Sequence, residues 1–267
     1  MYKKVVVIAG APRSGTSWLA QILDSSPNTR YRHQPIFSYA FKNAVSLESL
    51  KEDYIKFFEG IYASRDEFLC RTQEREKGIY PTFSKNKSQE FLVFKNVRYH
   101  YLLEKMLQFF NDLKITGIVR HPCGVINSWL TTAKEFPPNA NPIKEWRYGK
   151  CRNTGPEEYW GFEKWKEVAY IFLKLEEEYP NQFLLQKYSE LVNNPFKETK
   201  KIFDFFEVEY NDQTNNYLIE CNAKHMDDCY ATFKDKKVKD KWQWELDKKI
   251  QKEIIDELKG TELEVFL

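Results

Sequence analysis

Residues 5–24, VVVIAGAPRSGTSWLAQILD, decide the fold. The branched run Val5, Val6, Val7 and Ile8 predicts a buried strand, and the small Ala9, Gly10 and Ala11 allow a tight turn directly after it. A helix is then expected from about Gly15, because Trp18, Leu19, Ile22 and Leu23 fall three and four apart and share one face. Ser14, Thr16 and Ser17 crowd its start. The first amides of a helix lack internal partners and the macrodipole makes that end positive, so the arrangement is an anion site to which Arg13 adds a cation.

Gly10 to Ser17 has the spacing of a Walker A loop, with Thr16 where the lysine should stand. A nucleoside triphosphatase needs that lysine and usually an acidic residue at a nearby strand end for magnesium. The next clear strand ends in Arg120 instead. The loop is therefore expected to hold a phosphate-like group without a metal, Arg13 replacing the lysine. The plain alternative is an ordinary strand-turn-helix with an incidental arginine.

APRSGTSWLAQIL resembles the 5′-phosphosulfate loop of sulfotransferases that use 3′-phosphoadenosine-5′-phosphosulfate (PAPS). That resemblance implies that Arg13, Ser14, Gly15, Thr16 and Ser17 hold the phosphosulfate, with Trp18 against adenine or in the core. LKITGIVRHPCGVINSWL, residues 113–130, is similar to the family's 3′-phosphate motif, including the eight-residue step from Arg120 to Ser128. His121 replaces the usual asparagine or aspartate and is read as structural. Tyr188, before Asn194 and Pro195, corresponds to a tyrosine beside adenine. YATFKDKKVKDKWQWEL resembles the C-terminal nucleotide loop through Phe233, Lys236 and Trp242, with Asp235 and Lys237 in place of arginine and glycine. Lys236 and Lys237 would act on the 3′-phosphate as point charges. A solvated linker is the alternative there.

Two departures concern the base. Cytosolic relatives place a histidine two residues after the lysine matched by Lys95, and this chain has Val97. Carbohydrate-type relatives often have Glu-Pro where this chain has Gln34 and Pro35, and glutamine accepts no proton. His33 is the candidate general base from the adjacent position, since its pKa class suits the role. A hydrogen-bonded surface histidine is the competing reading. Lys95 either stabilises the departing phosphate or caps the sheet. His100 is expected to be part-buried in a helix.

Composition limits the rest. A chain of 267 residues accommodates one α/β domain, with acceptor or lid insertions expected near 37–90 and 131–158. Its 41 basic and 39 acidic residues give no support for a nucleic-acid-coating protein. No apolar run approaches the roughly 20 residues of a membrane span, and no signal peptide is legible. Five cysteines without a CxxC pair suit free thiols in a reducing compartment, and no metal site is expected. A cytoplasmic protein is the resulting expectation.

Further along, residues 37–60 are expected to be helical, burying Leu47, Leu50, Tyr54 and Phe57. Residues 62–89 are read as an excursion over the sheet, either a solvated loop or an acceptor element. Residues 131–156 are a lid or flap in which Trp146 and Tyr148, with the basic residues, could receive an acceptor. A helix over 157–178 should bury Phe162, Trp165, Ala169, Phe172 and Leu175, and a last helix should run over 242–260. Strands alternating with helices imply a three-layer α/β/α fold around a parallel sheet, with the ligand at the strand C-termini. The expected activity is sulfuryl transfer from PAPS to a hydroxyl or amine, on a carbohydrate or other small natural product. A non-catalytic PAPS-binding protein and an eroded P-loop kinase are the alternatives.

Overall fold

The computed structural model describes residues 2–223 and 240–267. Lys4–Ala9 form β1, and Thr29–His33 (β2), Phe91–Asn96 (β3), Lys114–Val119 (β4) and Phe183–Lys187 (β5) join it in one sheet of order β2-β3-β1-β4-β5. Every neighbouring pair is parallel. From β1 the chain builds first to one side and then to the other. The crevice between β3 and β4, at the C-terminal end of β1, is thus a topological switch point where α/β sheets bind ligands.

Helices cover both faces: α1 (Thr16–Asp24), α2 (Lys51–Ala63), α3 (Glu67–Cys70), α4 (Thr72–Glu76), α5 (Leu103–Phe109), α6 (Pro122–Leu130), α7 (Pro142–Glu145), α8 (Phe162–Glu178), α9 (Tyr188–Asn193), α10 (Pro195–Phe206), α11 (Asp212–Ala223), α12 (Trp242–Glu245) and α13 (Lys248–Leu258). Alternation along β1 divides the core. Val5, Val7 and Ala9 pack with Phe57 of α2, Met106 of α5, Trp129 of α6 and Phe172 of α8. Val6 and Ile8 pack with Leu19 of α1, Phe203 of α10 and Leu218 of α11. This is the three-layer α/β/α arrangement expected from the sequence. A strand buried on both faces reads as a continuous apolar run, which is why β1 was legible. The expected stripe of α8 is buried at all five positions.

Four local expectations are corrected. Thr29–His33 is a full strand that the sequence pattern does not show, paired in parallel with Phe91–Asn96. Its arginines hid it: Arg32 is buried because its guanidinium donates to the carbonyls of Ile61, Tyr62 and Ser64. Residues 37–50 are turns, with Leu47 and Leu50 exposed. The helix starts only at Lys51, where the Asp53 carboxylate accepts from the Leu50 amide at 2.9 Å. The α8 helix begins at Phe162, leaving Glu157 and Glu158 outside it. The closing helix is broken at Leu246, because Asp247 caps a fresh N-terminus through the amides of Lys249 and Ile250.

Candidate active site

The loop from β1 to α1 makes its turn with Arg13 and Gly15 both in the left-handed region, at φ 72° and 96°. Gly15 occupies the N-cap position of α1, and no side chain caps the helix there. A Cβ at Gly15 would stand 2.6 Å from the Tyr188 ring, so this backbone lies directly against that aromatic. The Ser14 hydroxyl is buried in the loop with no hydrogen-bond partner. Uncapped amides and a close-fitting tyrosine fit an anionic ligand such as a phosphosulfate.

A cleft of about 550 Å³ opens over this loop. It brings together Arg13, Gly15, Thr16, Ser17, Trp18, His33, Lys95, Arg120, Ser128 and Tyr188, which lie far apart in sequence. Ser14 sits behind the loop at 0% exposure. Phe233, Lys236 and Lys237 lie outside the described residues.

On one side, Arg13 Nε donates to Ser128 Oγ at 3.1 Å and its guanidinium lies 3.4 Å from the Glu135 carboxylate. Arg120, the residue after β4, donates to the Arg13 carbonyl at 3.2 Å and places its guanidinium 4.9 Å from the Tyr188 ring centre. Gly124 leaves room for that side chain: a Cβ there would be 2.9 Å from Arg120 Nε. Trp18 packs edge-on to Tyr188 at 6.1 Å and donates from its indole to Cys221 Sγ. Tyr188 itself opens α9 instead of ending β5.

On the other side, Lys95 Nζ donates to Ser17 Oγ at 2.7 Å. Burial pushes this lysine down to about 7; Arg71, Arg13 and Arg98 push the same way and Glu135 opposes them. His33, at the end of β2, is also buried. Its pKa falls well below the usual imidazole range, first through burial and then through Lys95, Arg71 and Arg98. The Gln34 amide has a fixed orientation, because Arg98 Nη1 donates to its oxygen at 3.1 Å. Its nitrogen therefore donates to His33 Nε2 at 3.1 Å, and His33 Nδ1 holds the proton shared with the Tyr31 hydroxyl at 3.1 Å. Gln34 thus sets the tautomer of the imidazole, with Nε2 as the acceptor.

The remaining walls come from the two segments that the sequence offered as either solvated loops or acceptor elements, together with β3. The segment 62–89 supplies Phe68, Arg71, Glu74 and Tyr80, and β3 leads to Arg98. From the expected lid, Lys134, Glu135 and Arg152 reach the cleft, whereas Trp146 is buried against Phe162 and Tyr148 is exposed elsewhere. Glu158 binds Arg98 at 2.9 Å and the Trp160 indole at 2.9 Å. His100 is in the core beside Tyr159 and Phe172, where burial lowers its pKa to about 3. His121 accepts from the Cys123 amide as the cap of α6 and stacks on Trp242 at 4.3 Å, a structural role as expected. Among the described residues no group of three or more His, Cys, Asp or Glu side chains is placed to hold a metal ion.

The fold and cleft define an α/β protein with a lysine-free, P-loop-like anion site at its sheet switch point. The family model described as Sulfotransferase family matches residues 6–212, and the chain belongs to that family. No curated protein sequence matches it. Among solved structures it is similar to mouse sulfotransferase SULT7A1 complexed with PAP, at 15% identity over 99% of this chain and 89% of that one, TM-score 0.58. Retinol dehydratase in complex with androsterone and inactive cofactor PAP gives 14% identity, 97% and 82% coverage, and a TM-score of 0.56. The sulfotransferase domain of the Synechococcus PCC 7002 olefin synthase gives 17% identity, 91% and 88% coverage, and 0.52. These likenesses extend to the fold.

Proposed function

We propose that this chain transfers a sulfuryl group from PAPS to a hydroxyl or amine of a carbohydrate or other small natural product. The observation that supports this most is the shared cleft edge: the uncapped start of α1 with Arg13 at one point, and Arg120, Ser128 and Tyr188 beside it. The solved relatives complexed with PAP support the same donor. When bound, PAPS supplies an activated sulfuryl group.

The loop amides, Thr16 and Ser17 bind the 5′ end, and Arg120 and Ser128 bind the 3′-phosphate. Tyr188 and Trp18 flank adenine. Arg13 and Lys95 stabilise the negative charge that grows on the departing phosphate. His33 takes the acceptor proton at Nε2, a position the acceptor hydroxyl reaches by displacing the Gln34 amide. At neutral pH the lowered pKa of His33 keeps it in the base form.

We read the chain as one sulfotransferase domain whose segments 37–90 and 131–158 build the acceptor side. The four described cysteines are free thiols, which supports a cytoplasmic setting. Among the described residues no helix is long and apolar enough to cross a membrane.

The deciding experiment is calorimetric titration with PAP, ADP and ATP, followed by labelled-sulfate transfer into acceptor mixtures. Expected are tight PAP binding, weak ADP binding and turnover lost in His33→Ala with PAP affinity retained. ATP-magnesium binding in preference to PAP would support the kinase alternative. PAP binding without transfer to any acceptor would leave a binding protein.

A further inference from the structure

Among the described residues, cationic side chains outnumber carboxylates along the cleft: Arg13, Arg71, Lys95, Arg98, Arg120 and Arg152 face it with Lys77 and Lys134, against Glu74 and Glu135, with Glu158 paired to Arg98. PAPS carries about four negative charges, its phosphate monoester supplying up to two of them. With Glu158 counted against Arg98, the donor leaves only a small positive excess among the described residues. Two of these arginines, Arg71 and Arg152, are built in without a full set of partners.

Arg71 joins α3 to α4 with a left-handed backbone, φ 55°. A non-glycine residue in that region is strained, and such strain persists where the surroundings fix the side chain. Arg71 is 9% exposed, and its guanidinium lies 5.3 Å from the Tyr80 ring centre and 5.9 Å from that of Phe68. One terminal nitrogen pairs with Glu74 at 2.8 Å, while the buried Nε has no hydrogen-bond partner. Phe68 in turn packs edge-on to His33 at 5.2 Å. Arg152 enters the same cleft from the segment between α7 and α8. Its guanidinium lies over Trp160 at 5.2 Å, its Nε is buried and unpartnered, and it makes no ion pair among the described residues. Trp160, Glu158, Arg98 and Gln34 then connect by hydrogen bonds to His33. Both chains of contact end at the candidate base, and neither passes through Arg120 or Ser128.

We infer that the acceptor carries an oxyanion of its own, a carboxylate, phosphate or sulfate, held by Arg71 with Arg152 as the second donor, while its hydroxyl lies at His33. This rests on the sulfotransferase reading and adds the charge of the substrate to it. Incompletely paired guanidinium groups suit the assignment because charge-assisted, bidentate bonds to an oxyanion are about twice as strong as neutral ones. Phe68, Phe37 and Trp160 supply apolar walls for the scaffold between the two groups.

The test uses the full chain saturated with PAP and two matched scaffolds: glucose against glucuronate and glucose 6-phosphate, and phenol against para-hydroxybenzoate. Calorimetric titration to about 10 mM should show at least one acid bound roughly tenfold tighter than its neutral partner. Whether glucuronate or glucose 6-phosphate binds better identifies the oxyanion. In Arg71→Gln the preference should fall below about threefold, Arg71→Lys should restore part of it, and PAP affinity should stay within about twofold of wild type. Arg152→Gln provides the same reading if Arg71→Gln does not fold. Neutral members binding as well as acids, or no acid binding at all, overturns the inference. So does loss of PAP affinity in Arg71→Gln, which would put Arg71 on the donor. A wild-type protein with no heat on PAP addition sinks the parent reading and this one together.

Discussion

His33 and Lys95 are register partners across the β2–β3 ladder, and both end buried at the floor of the cleft. The lysine charge is one reason the imidazole pKa is low. Two proton-binding groups are thus set side by side in a positive, dehydrated site, and an arriving anion changes the balance for both.

Proton uptake on ligand binding follows from this. Lys95 sits at about 7 in the free protein, so near that pH it is about half-charged. A bound anion raises its pKa, and the protein should take up about half a proton per PAP at pH 7, less as pH falls. Calorimetry in buffers of different ionisation enthalpy measures this directly, and Lys95→Met should abolish it. A wild-type binding enthalpy independent of buffer would contradict the placement of Lys95.

Burial first, and then Lys95, Arg71 and Arg98, set the acid limb of the rate profile, and a neutral Gln34 does not oppose them. With a glutamine, the pKa of His33 stays well below 6.5 and kcat/KM should hold down to acid pH in the free enzyme. Gln34→Glu places a carboxylate on Nε2, favours the imidazolium and should move that limb up by about 1 unit or more. Activity at pH 6 then falls relative to pH 8. A pH–rate profile with NMR titration of the His33 ring protons checks it; an unmoved limb would remove His33 as the base.

Gly15→Ala should damage the anion loop. Its φ of 96° is strained for alanine, and the new methyl would meet the Tyr188 ring at 2.6 Å. A loss of about 1–3 kcal/mol in stability is expected, with PAP affinity falling as Tyr188 shifts. Gly78→Ala is the control, because its φ is 70° and nothing lies within 4 Å of the added Cβ. Chemical denaturation and PAP titration of both variants separate backbone strain from the steric clash.

Asp24, at the end of α1, holds Arg75 at 2.7 Å and Lys85 at 2.8 Å. Burial alone would raise its carboxyl, but the two cations outweigh that and its pKa is lowered. The stabilisation is fully present above the unfolded carboxylate range and is lost as pH falls through the lowered pKa. Asp24→Asn should therefore cost about 1–3 kcal/mol at pH 7 by removing the charged partner of two part-exposed cations. The difference from wild type should shrink toward pH 2 in urea denaturation series; a constant difference would mean that Asp24 contributes through packing alone.

The sequence by itself determined the central strand, the tight turn into the first helix and the α/β layering. These rest on short-range physics: a run of branched residues buried on both faces, glycine where the backbone turns left-handed, and a helix start within a few residues of its strand. Arg120 and Ser128 were legible for the same reason, being fixed by one strand and one helix. Only the tertiary structure decided the other walls of the cleft. β2 was obscured by arginines whose burial depends on carbonyls some thirty residues away, at Ile61, Tyr62 and Ser64. Arg71 and Arg152 stand in polar segments whose composition matches solvated loops. Their environment arises from aromatic rings and a sheet edge contributed by distant parts of the chain, and the low pKa values of His33 and Lys95 come from the same assembly. Burial and charge density are properties of the packed chain, so local pattern identified the residue types of the site and folding set their chemistry.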